Sequence, residues 1–135
     1  MQISLEKITE YADGVTIYND GNKTLYRAGE DKFNKICAEW NGMMSGAHQM
    51  PAFGVSLHNE TVKVLKDGVW AEFNFPQVYS SNGMSYSKLL VNVKPEWRGF
   101  NIIRYTPERG YDGRCFYYDL CGKNMSAFYN CIIES

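Results

Sequence analysis

The sequence predicts an α+β domain, with a mainly antiparallel sheet of about five to seven strands packed against two or three helices in a single layer on one face. Three observations lead there. Strand-like segments come in runs instead of alternating with helices, which favours antiparallel pairing. Ten Tyr, seven Phe and three Trp supply large, rigid rings that favour strands and a sheet-rich core. One segment, from Asp31 to Met44, has a plain helical period.

The elements follow in order. Val15–Tyr18 and Lys23–Tyr26 flank Asn19-Asp20-Gly21-Asn22, a cluster that tolerates positive φ and so predicts a hairpin. In the helix, Phe33, Ile36, Cys37, Trp40, Met43 and Met44 fall on one face. Acids at Glu30 and Asp31 suit its start, and Gly46 suits its end. After Pro51, Ala52 to Leu57 reads as a short strand. Residues 59–67 fit a short helix slightly better than a strand. From Val69 to Phe75, apolar Ala71, Phe73 and Phe75 alternate with Trp70, Glu72 and Asn74, and Pro76 ends the run. Residues 79–87 read as a loop around Ser80-Ser81-Asn82-Gly83. Lys88–Val93, Gly99–Thr106 and Arg114–Leu120 read as strands, with a loop from Pro107 to Gly113. A last helix spans Lys123 to Ile133, with Met125, Phe128, Tyr129 and Ile132 on one face. At 135 residues, with no repeat or linker-like stretch, residues 1–135 are expected to form one domain.

Composition narrows the function classes. A net charge of −1 gives no bulk electrostatic case for nucleic acid or a membrane surface as partner. The start of the chain has no basic and apolar leader, and no run approaches the ~20 apolar residues that span a bilayer. A cytoplasmic protein is expected. Cys37, Cys115, Cys121 and Cys131 form no C-x-x-C pair, so reduced thiols are expected and no metal. No P-loop, G-x-G-x-x-G, EF-hand or H-E-x-x-H motif occurs, and no cofactor is expected.

The segment from Trp97 to Tyr118 stands out, because four of the five arginines fall between positions 98 and 114 among aromatics. If Thr106 opposes Arg114, then Arg104 faces Phe116, Ile102 faces Tyr118 and Phe100 faces Leu120. The other side would carry Asn101, Ile103, Tyr105, Cys115, Tyr117 and Asp119. Guanidinium forks match carboxylates and phosphates, and tyrosines give contact area. Arg104, Arg109, Tyr111, Arg114 and Tyr117 are therefore the candidate binding residues, for a protein partner with an acidic surface. The plain alternative is an edge hairpin whose arginines pair with Glu108, Asp112 and Asp119.

An enzyme or a small-molecule pocket is the other class. It would use His48 or His58 with an anion-binding arginine, and Ser56 or Cys115 as nucleophile. The run Gly54-Val55-Ser56-Leu57-His58 lacks the last glycine of a nucleophile elbow, and the histidine spacing matches no metal motif. Glu72 is a candidate acid, although a solvent-facing place on an alternating strand explains it equally well. The leading expectation is thus a small non-catalytic binding or regulatory module.

Overall fold

The structure is a computed structural model and describes residues 2–50, 67–111 and 115–134. A 3-10 helix at Leu5–Glu10 precedes strands β1 (Gly14–Asn19) and β2 (Asn22–Arg27). Helix α1 (Asp31–Met44) and the short strand β3 (His48–Met50) follow. Strands β4 (Val69–Ser81), β5 (Met84–Val93), β6 (Gly99–Tyr105) and β7 (Phe116–Asp119) lead to helix α2 (Ser126–Ile133). The strands form one seven-stranded antiparallel sheet in the order β2-β1-β4-β5-β6-β7-β3. This is the α+β architecture expected. No helix among the described residues is long and apolar enough to cross a membrane.

Turn chemistry sets both long hairpins. Asp20 and Gly21 have φ of 48° and 92°, and Asn82 and Gly83 have 51° and 79°, the signs of two-residue type I′ turns. The second turn corrects the loop expected over residues 79–87. Here β4 and β5 run on as a hairpin, with Tyr79 opposite Tyr86 and Ser81 opposite Met84. Ser81 is buried, and its hydroxyl bonds the Ile3 carbonyl at 2.7 Å and the Tyr86 hydroxyl at 2.7 Å. Pro76 does not end the strand; pairing shifts register between Asn74 and Tyr79, and a bulge absorbs the missing donor.

Two smaller differences follow from local chemistry. Helix α2 starts at Ser126 because the Asn124 side chain accepts from the Ser126 backbone N–H (3.0 Å) and hydroxyl (2.6 Å). In the β6–β7 pair, Ile102 lies opposite Phe116 and Phe100 opposite Tyr118, two residues from the expected register. A two-residue slip preserves which side chains share a face. The strand expected over Ala52–Leu57 and nearly all of segment 59–67 lie outside the described residues.

The core lies on one face of the sheet. The α1 stripe Phe33, Ile36, Cys37, Trp40, Met43 and Met44 is buried, as the period required. It packs with Leu5 and Ile8, with Phe128 and Ile132 of α2, and with Val15, Phe73, Leu89, Phe100 and Phe116 of the sheet. Trp40 sits at the centre, with ring centroids 5.0 Å from Phe73, 5.5 Å from Phe100 and 5.6 Å from Phe128, all edge to face.

The helix ends are cross-connected. The Lys123 ammonium donates to the Ser45 (2.6 Å) and Gly42 (3.3 Å) carbonyls at the end of α1. Lys32 of α1 donates in turn to the Cys131 and Glu134 carbonyls at the end of α2. Each lysine satisfies carbonyls that the last helical turn leaves without intrahelical donors.

Candidate binding face

With the helices on one side, alternation sends every second strand residue to the opposite face. A second, smaller apolar cluster lies there: Trp70, Leu90, Ile103 and Cys115, with Tyr18 and Tyr111 packed against it. Glu72 stands among them and is only 1% exposed. The sequence permitted a solvent-facing Glu72, and the structure corrects that. Its carboxylate accepts from the Tyr111 hydroxyl at 2.5 Å and from the Tyr18 hydroxyl at 3.3 Å. The two phenols replace the water that burial removes.

The same contacts act back on the phenols. Burial and the adjacent Glu72 charge push the Tyr18 pKa up to about 12 from 10.0. Burial and Glu72 raise that of Tyr111 as well. Because the folded state holds the Tyr18 proton more tightly than the unfolded chain, its contribution to stability is whole below pH 10. It is lost as pH rises through about 12. Urea unfolding of wild type and Tyr18→Phe across that window should show the wild type losing more stability. Parallel curves would remove Tyr18 as the cause.

The candidate residues divide between the two faces. Arg104, opposite Leu89, emerges on the helix-bearing side, and its Nη1 donates to the Ser85 carbonyl at 2.8 Å. Burial, with Arg109 nearby, lowers its pKa. Arg109 is exposed on the loop after β6, its backbone N–H donating to Thr106 Oγ1 at 3.3 Å. Tyr111 turns inward to Glu72, and its ring meets that of Tyr105 at a tilt of 60° with centroids 4.9 Å apart. Tyr117 is half-buried on β7 and leans over Gly99, where a Cβ would lie 2.7 Å from its hydroxyl. Arg114, His58 and Ser56 lie outside the described residues. His48 is exposed on β3, opposite Asp119, with β7, β6 and β5 between it and the strand of Glu72. Among the described residues, no group of three His, Cys, Asp or Glu is placed to hold a metal.

Two concavities mark this face. One, of about 440 Å³, is bordered by Arg98, Asn101, Tyr117 and Asp119 over Gly99. The other, of about 320 Å³, lies between Lys23, Arg27 and Lys88 above Gly14 and Asn74, with Asp13 at its rim. Lys88 also stands 5.0 Å over the Tyr105 ring, and Lys23 5.9 Å over Tyr18. These lysines and Arg27 were not singled out from the sequence. For Lys23 and Arg27 the signal available was their spacing of two residues on either side of Leu25 in β2, which places three side chains on one side of the strand; Lys88 joins them from β5. Comparison with protein-family models, with curated proteins and with solved structures gives no match.

Proposed function

We propose that this chain is a small cytoplasmic, non-catalytic binding or regulatory module that docks on the acidic surface of a protein partner. Contact is made through the arginine- and tyrosine-rich ribbon of β6 and β7. The observation that carries this reading is the concavity of about 440 Å³ over Gly99, where exposed Arg98 stands beside the half-buried Tyr117. Tyrosine and arginine together give the rigid area and the bidentate charge that anchor protein interfaces. Exposed Arg109 extends the basic fringe beyond β6. The reducing compartment fits the four free thiols.

Arg104 is engaged by the Ser85 carbonyl, so replacing it would perturb the hairpin as well as the contact surface. Arg98 and Arg109 are exposed and can be reversed in charge without opening the core. Arg98→Glu with Arg109→Glu should leave the melting temperature unchanged and abolish the capture of a partner that wild type retains from cytoplasmic extract. If both proteins retain the same partner equally, the ribbon is not the interface.

A further inference from the structure

We infer that β2 receives an extended acidic segment of the protein partner, which adds to the sheet as an eighth strand. The inference rests on the protein-binding reading above and specifies the partner's chemistry.

The backbone supplies the first part. Among the described residues, strand β2 is a sheet edge, paired with β1 on one side only. Pairs flanking a two-residue type I′ turn exchange both backbone hydrogen bonds, so Asn19 and Asn22 bond each other, and the alternation runs on through Thr24 and Tyr26. The Ala28 N–H, donating to the Asp13 carbonyl at 3.0 Å, continues the same series. The N–H groups of Lys23, Leu25 and Arg27 therefore point away from β1. The edge has no proline and no bulge to close such a row, while Lys23 and Arg27 guard it by charge and so leave it open to an acidic strand.

The side chains supply the second part. Lys23, Leu25 and Arg27 share the face not covered by helices, and Leu25 is 45% exposed. Among the described residues no carboxylate forms an ion pair with Lys23 or Arg27. A strand laid along β2 places its own residues directly opposite these three. The complement reads acidic, apolar, acidic at every second position. A second copy of this chain fails the same test, since antiparallel self-pairing about Leu25 sets Lys23 against Arg27 of the copy. Lys88 and the cleft of about 320 Å³ lie just inward and extend the positive potential over the added strand.

The test uses a synthetic peptide whose alternate residues run acidic, apolar, acidic with threonine between, and a basic analogue. The acidic peptide should bind the full chain and slow amide exchange at Lys23 and Leu25, while the basic analogue should not. Lys23→Glu with Arg27→Glu should weaken the acidic peptide about tenfold or more and create binding of the basic one. Leu25→Pro removes an outward donor and spares the bonds to β1, so it should abolish binding while Thr24 and Tyr26 stay protected. Equal binding of both peptides, unprotected Lys23 and Leu25 amides, or dimerisation of the protein alone through those amides would each overturn the inference. Failure here while Arg98→Glu/Arg109→Glu loses its partner leaves the ribbon reading standing. If that variant also keeps its partner, both are wrong.

Discussion

Replacing Trp40 with alanine should lower the unfolding free energy by about 3–5 kcal/mol, against roughly 5–15 kcal/mol for a whole domain. Trp40 is fully buried and meets rings from three different elements, so the hole cannot close by moving one neighbour. Its indole N–H has no hydrogen-bond partner among the described residues. Among the described residues, edge-to-face contact with these three rings is what holds it in place. Trp40→Phe keeps part of that area and removes the unpartnered donor, and it should cost clearly less than the alanine change. Urea denaturation measures both. A loss below about 1 kcal/mol for alanine would show that α1 does not depend on this contact.

Tyr111→Phe should cost about 1–3 kcal/mol, because among the described residues it leaves the buried carboxylate of Glu72 with only the longer bond from Tyr18. Glu72→Leu should be nearly neutral by comparison. Leucine suits neighbours such as Trp70, Leu90 and Ile103, and the two half-buried phenols can turn to water. The double substitution should then be more stable than Tyr111→Phe alone, with a coupling energy of about 1–2 kcal/mol. A cycle that closes additively would mean the carboxylate draws its support from elsewhere.

How much of this could be read from the sequence depends on the range of the interaction. Helix α1 was legible because Phe33, Ile36, Trp40 and Met44 repeat within their own turns. The β1–β2 hairpin was legible because Asp20-Gly21 carries its own turn chemistry. The slip of two residues between β6 and β7 did no harm to face assignments, since side chains alternate with period two. The Asn82-Gly83 turn reads in the sequence as part of a broad loop over residues 79–87. The residues around it, Ser80, Ser81 and Ser85, are polar, although Ser81 is buried by contacts with Ile3 and Tyr86. The 3-10 helix has too few residues to show a period. Glu72 was the hardest case. Its burial depends on Tyr111, which is 39 positions away, and nothing near Glu72 in the chain announces that phenol. The division of Arg104 from Tyr105 and Tyr117 was legible from strand alternation, but which of the two faces the helices cover emerged only with the sheet.

The strand order has a consequence for assembly. Strands β4 to β7 are a meander in which each strand meets the next, whereas the strands outside it, β2-β1 at one margin and β3 at the other, come from residues 14–50. Within that stretch α1 runs from the hairpin to β3. The early part of the chain thus acts as a buckle, fastening the left and right borders of a weave that the later part produces. Such a body closes only when both borders have been caught, so its slow step belongs to long-range closure and not to forming any one hairpin.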